Sequence, residues 1–114
     1  MSVFLPNRYM DTNAIKAFIA VAETMSVTKA SKKLFLTQPA VSRRVAQLEE
    51  ELGVRLFDRA NKKMFLTLPG QKLLPRSKQI LKDIDFAARE ASHLGNKVMG
   101  HLAVGMSHLS LIHI

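Results

Sequence analysis

A pair of arginines near the start of one predicted helix is the feature of this sequence with the clearest binding chemistry. The segment LTQPAVSRRVAQLEEEL, residues 36–52, is expected to become helical after Thr37, with Arg43 and Arg44 early and three glutamates late. An isolated helix prefers the opposite order by roughly 0.3–1 kcal/mol per charge, because its N-terminus carries partial positive charge. Neither arginine has a glutamate three or four residues away. The arginines are therefore available to an external anion, and a plain solvated helix face is the alternative.

The composition favours a polyanionic partner. The chain has 114 residues, a formal net charge of +8 and 47% hydrophobic residues, which suits one modest domain with an appended helix. Such a charge points to nucleic acid or to an acidic membrane surface. The basic residues are not gathered on one amphipathic helix, and no apolar run approaches the roughly 20 residues needed to span a bilayer, so a membrane is not expected. The absence of cysteine fits a reducing cytoplasm, which is the expected location.

Enzymatic chemistry is not indicated. The histidines lack the close spacing of metal ligands, and no nucleophile elbow or phosphate loop occurs. We therefore expect no catalytic residues, no metal and no cofactor. The glutamates Glu49, Glu50 and Glu51 are interpreted as a solvated helix end.

Three short helices are predicted to position the arginine pair. Small polar residues suited to helix N-caps precede each apolar periodic segment. The expected caps are Asp11 or Thr12, Ser26 or Thr28, and Thr37. The third helix should end at Gly53, a typical left-handed C-cap. Its core stripe is Val41, Val45, Leu48 and Leu52, which leaves Pro39, Arg43, Ala46 and Gln47 on the outer face, with Gln38 and Ser42 on its flank.

A hairpin and a long helix follow. Two short apolar runs flank the polar residues 58–63 and predict a small hairpin with that segment as its tip. A further helix should begin after Thr67 and end near Gly95, with Pro75 kinking it or delaying its start. Apolar residues recur along it in steps of four and three, broken by Ser77, as in a heptad seam. The predicted dimerisation residues are Leu73, Ile80, Ile84, Ala87, Ala91 and Leu94.

These elements together predict a mainly α fold, a winged helix-turn-helix of three helices plus a short β-hairpin wing, followed by a long linker helix. In this fold the first turns of the third helix enter the major groove of DNA, and its last turns stand clear of the duplex. The order of charges then suits DNA, because the arginines meet the anion and the glutamates avoid it. A helical dimerisation module with incidental basic charge is the rival interpretation, and it leaves residues 37–44 and the hairpin tip unexplained.

The segment SVTKASKKLFLTQPAVSRRVAQLEEELGVRLFDRANKKMFLT resembles the DNA-binding signature of the LysR-type bacterial transcriptional regulators. The resemblance runs from about Met10 to Leu94. The motifs that match in order and spacing are residues 38–42, Leu48-Glu49, Leu52-Gly53-Val54, Leu56-Phe57 with Arg59, and Thr67 with Gly70. Met25 stands where the family usually has glycine, and Ser31 where it usually has alanine.

The resemblance implies a dimer that binds an interrupted palindrome upstream of a target gene. The positions implied to contact DNA in the major groove are Gln38, Pro39, Ser42 and Arg43. Those implied to approach phosphates are Thr28, Lys29 and Thr37, and the wing contributes Arg59, Lys62 and Lys63 to the backbone or minor groove. The alternatives are that Thr28 and Thr37 serve as caps only and that Lys29 is an ordinary surface lysine.

The resemblance also implies the domain organisation. We expect a flexible extension at 1–9, the DNA-binding domain at 10–67, the linker helix at 68–95 and a truncated start of an effector-binding domain at 96–114. HLAVGMS resembles the opening strand of that domain. The terminal residues 109–114, LSLIHI, resemble a translated library adapter. A small-molecule effector is expected only for an intact full-length protein.

Overall fold

The computed structural model describes residues 10–99, with side chains described through residue 95. Within this range the elements are α1 (Thr12–Thr24), α2 (Val27–Leu34), α3 (Gln38–Leu52), β1 (Phe57–Ala60), β2 (Lys63–Leu66) and α4 (Leu68–Met99). This is the predicted winged helix-turn-helix followed by a long helix. The predicted extension at 1–9, the predicted strand HLAVGMS and the adapter-like residues 109–114 lie outside the described residues.

The ends of the three short helices follow from local hydrogen bonds. Asp11 accepts a hydrogen bond from the N–H of Ala14 at 2.7 Å, and Ser26 accepts one from Lys29 at 3.0 Å. Thr37 caps α3 in the same way, with 3.2 Å between its hydroxyl oxygen and the nitrogen of Ala40. These bonds satisfy N–H groups that the helix itself leaves unpaired. Asp11 rather than Thr12, and Ser26 rather than Thr28, are therefore the caps.

The C-terminal ends of these helices all adopt left-handed backbone. Gly53 has φ 74°, and its N–H donates to the carbonyl of Glu49 at 2.8 Å, as predicted. Met25 and Phe35 end α1 and α2 with φ values of 52° and 57°. This conformation costs a residue with a Cβ roughly 1–2 kcal/mol. The position of Met25, where the resemblance expects glycine, is thus one that glycine suits physically.

The core lies where α1, α2, α3 and the wing meet. Phe18, Leu48 and Leu56 are fully buried, and the rings of Phe18 and Phe57 lie 5.5 Å apart at 55°. Val41 is also fully buried, and two partly buried residues of α3, Val45 and Leu52, pack against the same cluster. The predicted stripe of α3 is therefore its core face. One compact unit extends to Lys78, so it includes the first turns of α4.

The wing is a two-stranded antiparallel sheet with a shorter tip than predicted. Phe57 pairs with Leu66, and Ala60 pairs with Lys63. Only Asn61 and Lys62 form the turn, and both have positive φ, as a type I′ hairpin turn requires. The predicted six-residue tip at 58–63 is wrong, because backbone pairing in a hairpin tolerates exposed polar side chains.

The long helix α4 begins at Leu68 and continues to Met99. Pro75 lies inside it, so the alternative of a delayed start is wrong. The predicted end near Gly95 is also wrong, because α4 continues to Met99. A glycine that ends a helix adopts positive φ, and among the described glycines Gly53 is the one with positive φ. The N-terminal cap is confirmed, since Thr67 accepts a hydrogen bond from the N–H of Gly70 at 3.1 Å.

Candidate nucleic-acid interface

The first turns of α3 present an exposed polar face. Gln38, Pro39, Ser42 and Arg43 are all exposed, as expected for residues that face away from the core. Within the described part of the chain, Arg43 makes neither an ion pair nor an internal hydrogen bond. Further along the same face, Gln47 donates to Glu51 at 3.4 Å and is held locally. The free cation of this outer face therefore lies near the N-terminus of the helix, where backbone N–H groups also favour anions.

The start of α2 adds two exposed side chains. Thr28 and Lys29 lie in its first turn, and both are exposed. Because Ser26 is the cap, the hydroxyl of Thr28 is not used for capping, and the alternative that Thr28 is only a cap is wrong. Its carbonyl accepts a hydrogen bond from the hydroxyl of Ser31 at 2.7 Å. That bond explains how a buried serine is tolerated where the resemblance expects alanine.

The wing directs its arginine toward the helices. Side chains alternate between the two faces of a strand, so Arg59 shares a face with the buried Phe57, and Asp58 lies on the other. Met64 is the cross-strand partner of Arg59 and packs against the core. Lys62 is exposed in the turn, and Lys63 is exposed at the start of β2. The wing therefore places one cation toward α3 and two at its tip.

An open groove of about 520 Å³ brings these three elements together. Its walls include the start of α2, the first residue of α3 and the wing. The predicted contact residues that line it are Thr28, Gln38, Arg59, Lys62 and Lys63. No acidic residue is among its lining residues, which makes it suited to a polyanion. Lys29, Thr37, Pro39 and Arg43 do not line this groove.

A smaller groove of about 140 Å³ lies between α3 and the wing. Ser42, Ala46 and Glu49 line it from the helix, and Arg55 and Arg59 line it from the wing side. Arg59 thus lines both grooves. Of the predicted major-groove residues, Gln38 borders the larger groove and Ser42 the smaller one.

Glu49 is a functional candidate that sequence reasoning missed. Its side chain is only 17% exposed, and one carboxylate oxygen accepts hydrogen bonds from the N–H groups of Leu56 at 2.8 Å and Phe57 at 3.3 Å. The same oxygen lies 3.7 Å from the guanidinium nitrogen Nε of Arg55. The interpretation of Glu49 as part of a solvated end is wrong. Its partners lie seven and eight residues away beyond Gly53, so helical spacing gives no signal for them.

Residues at the beginning of α4 contact the segment that leads into β1. The hydroxyl of Thr67 donates to the carbonyl of Arg55 at 2.6 Å, and its N–H donates to the carbonyl of Leu56 at 3.0 Å. Gly70 approaches so closely that an added Cβ would lie 2.4 Å from the Leu56 oxygen. The segment 55–57, which leads into the wing, is therefore hydrogen-bonded to Glu49 of α3 on one side and to Thr67 at the start of α4 on the other.

A second cluster of charges stabilises the domain away from these grooves. Glu23 lies 2.8 Å from the ammonium of Lys78 and 3.5 Å from that of Lys33. The hydrogen bond from Lys78, reinforced by the positive charges of both lysines, lowers the pKa of the Glu23 carboxyl below its usual value. The ion pairs link α1 to α2 and to the first part of α4. They occupy Lys33 and Lys78, whereas Arg59, Lys62 and Lys63 of the larger groove make no ion pair among the described residues.

The predicted dimerisation residues fall into two groups. Leu73 is partly buried against the core of its own domain, and the buried Ser77 has no hydrogen-bond partner for its hydroxyl among the described residues. From residue 79 onward the helix belongs to a second unit, where the remaining members of the predicted seam are exposed. They are Ile80, Ile84, Ala87, Ala91 and Leu94. Only this second group is available to another chain.

Other kinds of site find no support in the part of the chain that the structure describes. No group of three or more His, Cys, Asp or Glu residues could hold a metal ion there. None of its helices combines the length and apolar character needed to cross a bilayer.

Comparison with known proteins gives one consistent result. The family model described as bacterial regulatory helix-turn-helix protein, lysR family, matches residues 12–71, just over half of the chain. An uncharacterized HTH-type transcriptional regulator of Azotobacter vinelandii, in the ibpB-leuC intergenic region, is 48% identical over 99 residues, covering 87% of this chain and 69% of the relative. The regulator BsdA of Bacillus subtilis is 46% identical over 97 residues, covering 84% of this chain and 33% of its own length.

A solved structure agrees with these relatives. The complex of the BenM DNA-binding domain with catB site 1 DNA matches with a TM-score of 0.72 and 31% identity. The match covers 75% of this chain and 97% of that domain. This chain is thus similar to nearly all of a solved DNA-binding domain and to about a third of a longer regulator such as BsdA.

Proposed function

Because this chain belongs to the LysR family of bacterial helix-turn-helix transcriptional regulators and carries the family's DNA-binding domain, we propose that it recognises an interrupted palindrome as a homodimer. In this proposal α3 lies in the major groove, the wing follows the phosphate backbone and α4 joins the two copies. The palindrome follows from symmetry, since a two-fold dimer presents two equivalent recognition helices to two half-sites. The half-sites should lie about one turn of DNA apart or more.

The observation that carries the proposal is the shared groove. The N-terminal ends of two helices and the basic wing face one open space lined by Arg59, Lys62 and Lys63 and by the polar side chains of Thr28 and Gln38. Lysine and arginine neutralise phosphates, and helix N-termini add backbone N–H donors. A groove that combines both is suited to a sugar-phosphate strand running past the entry to the major groove. The rival helical interaction module gives no role to this groove.

Binding to a random-sequence duplex over a series of salt concentrations tests the phosphate contacts. The logarithm of the association constant should fall linearly with the logarithm of salt concentration, with a slope of about 0.9 per neutralised phosphate. Replacing Lys62 and Lys63 by alanine should lower this slope. Salt-independent binding, or no binding to any duplex, would contradict the proposal.

Sequence reading is assigned to α3 and is tested separately from attraction to phosphate. Arg43 is exposed, has no internal ion pair among the described residues and can donate two hydrogen bonds to guanine in the major groove. Arg43→Ala should therefore cost about 1–3 kcal/mol on a site selected from a random duplex pool, and little on random DNA. The Lys62→Ala, Lys63→Ala protein is the matched control, which should weaken both duplexes similarly. Equal losses for Arg43→Ala on both duplexes would make Arg43 a phosphate contact.

Dimerisation is assigned to the exposed part of the α4 seam. Ile80 and Ile84 are 38% and 47% exposed, and one turn apart they offer an apolar surface for the same helix of a second copy. Changing both to Asp would place charge in that interface, and sedimentation should then show a monomer. Phe86→Asp is a suitable control, because Phe86 is 65% exposed and lies off the seam. A monomeric unsubstituted protein at high concentration would refute this assignment.

The remaining assignments concern the intact regulator. We place it in the cytoplasm, where bacterial DNA is found, and assign the binding of a small-molecule effector to residues outside the DNA-binding domain. Titration of candidate small molecules should accordingly leave the DNA affinity of this chain unchanged. A reproducible shift with any of them would locate an effector site within these 114 residues.

A further inference from the structure

We infer that Glu49 is the residue that positions the wing against the recognition helix, and that it thereby sets how many phosphates the domain contacts. This inference rests on the proposed function. It assigns no DNA contact to Glu49, which would act through the residues of the wing. Glu49 lies in the last turns of α3, and its side chain is largely covered by the segment that leads into β1.

The hydrogen bonds of Glu49 are directed at the base of the wing. One carboxylate oxygen accepts from two consecutive backbone N–H groups, those of Leu56 at 2.8 Å and Phe57 at 3.3 Å. Both of these residues are buried, so without the carboxylate the two N–H groups would lose partners that water could not readily replace. Hydrogen bonds to a charged acceptor are also stronger than those between neutral groups.

Arg55 extends this arrangement. Its Nε lies 3.7 Å from the Glu49 oxygen, and its Nη2 donates to the carbonyl of Phe57 at 3.1 Å. On the opposite side, Thr67 donates to the backbone carbonyls of Arg55 and Leu56. The segment 55–57 is therefore fixed to α3 by Glu49 and to α4 by Thr67. Of the two, only Glu49 connects the wing to the helix that enters the major groove.

The consequence for DNA binding follows from the position of Arg59. Arg59 lies two residues beyond Phe57 on the same face of β1 and lines both grooves beside α3. Lys62 and Lys63 follow at the tip of the same hairpin. If the base of the wing is released from α3, these three cations no longer hold a fixed distance from Gln38 and Ser42. The wing then loses phosphate contacts while the recognition helix keeps its own.

Glu50 provides a matched control. It is the next residue of the same helix, carries the same charge and is exposed. Glu50→Ala and Glu49→Ala therefore remove the same charge from the same end of α3, but only Glu49→Ala removes the anchor. The comparison separates positioning from the general electrostatic gain that DNA binding receives when an acidic residue is removed.

Binding to a random-sequence duplex as a function of salt tests the inference. Glu50→Ala should keep the slope of the unsubstituted protein and bind equally well or slightly better. Glu49→Ala should bind roughly tenfold more weakly and lose about 0.9 of slope for each wing contact that is lost, up to about three. In a background with Lys62→Ala and Lys63→Ala, the effect of Glu49→Ala should largely disappear, because two residues that act through one element are not additive. Equal slopes for the Glu49 and Glu50 variants, or fully additive losses, would overturn the inference.

Amide hydrogen exchange and a Glu49→Gln variant test the anchoring of the wing independently of DNA binding and of misfolding. Amide hydrogen exchange should become faster at Leu56 and Phe57 in Glu49→Ala but not in Glu50→Ala, and this readout needs no DNA. If circular dichroism shows that Glu49→Ala is unfolded, Glu49→Gln, which keeps the shape and one acceptor oxygen, should change the slope and the exchange in the same direction by less. Unchanged amide hydrogen exchange at Leu56 and Phe57 in a folded Glu49 variant would overturn this inference and leave the proposed function intact. Failure of the unsubstituted protein to bind any duplex would instead contradict the proposed function.

Discussion

The same substitution should destabilise the protein at one glycine of α4 and not at another. A Cβ added at Gly70 would lie 2.4 Å from the carbonyl oxygen of Leu56 and 2.8 Å from Cδ2 of Leu66, whereas a Cβ at Gly95 would meet nothing within 4 Å. An ordinary contact between carbon and a carbonyl oxygen is about 3.3 Å or longer, so the chain must move by roughly 1 Å at Gly70. The atom that must move is backbone, and its movement disturbs the strand that enters the wing.

The expected magnitude combines two effects. Replacing glycine by alanine inside a helix stabilises it by up to about 1 kcal/mol, and forcing extra volume into a packed site costs about 1–3 kcal/mol or more. Gly70→Ala should therefore lower the free energy of unfolding by about 1–2 kcal/mol. Gly95→Ala should leave it unchanged or raise helicity slightly, because that position has free space.

Urea unfolding followed by circular dichroism measures both variants, and the salt slope of duplex binding reports on the wing. Gly70→Ala should reduce the midpoint and the slope together, since Leu56 is the shared contact of Gly70, Thr67 and Glu49. If Gly70→Ala were as stable as Gly95→Ala, the contact between residue 70 and Leu56 would have room for a Cβ, which is contrary to this prediction.

Three further predictions concern stability. Phe35→Gly should raise the free energy of unfolding by up to about 1 kcal/mol in urea unfolding, because Phe35 holds a φ of 57° with a side chain that is 93% exposed; a loss would show that the ring packs. Ser77→Ala should stabilise by about 1 kcal/mol, since the buried hydroxyl has no partner among the described residues; destabilisation would indicate a bound water. The lowered pKa of Glu23, caused first by the hydrogen bond from Lys78, contributes stability above the unfolded pKa that is lost as the pH falls through the folded pKa. Unfolding measured from pH 7 down to about pH 3 should therefore show a smaller acid loss in Glu23→Gln than in the unsubstituted protein.

The identity and order of the helices could be predicted from sequence because their ends are local. The caps at Asp11, Ser26 and Thr37 bond to N–H groups three residues ahead, and Gly53 bonds to a carbonyl four residues behind. Such signals lie within one helical turn. The same holds for the core stripe of α3, since its spacing reflects the geometry of the helix itself.

The lengths of two elements could not be predicted, because their backbone hydrogen bonds continue past residues that usually mark an end. The hairpin extends through Asp58 and Arg59, whose charges indicated a loop. The helix α4 passes through Gly95, which indicated an end. In both places the backbone hydrogen bonds continue, because a charged side chain on an exposed face costs little and a glycine inside a long helix costs only about 1 kcal/mol.

The candidate contact residues were chosen from the motif, and their arrangement came from tertiary structure. The sequence by itself determined the class of protein through its resemblance to the LysR-type DNA-binding signature, and the helical spacing after the cap at Thr37 predicted that Gln38, Ser42 and Arg43 lie away from the core. Only the fold brought Gln38 and Arg59 into one groove, divided the α4 seam between the domain core and an exposed surface, and turned Glu49 from a solvated charge into an anchor for the wing. These features depend on contacts between residues that are far apart in the chain or on different elements, and such contacts are decided by packing rather than by local spacing.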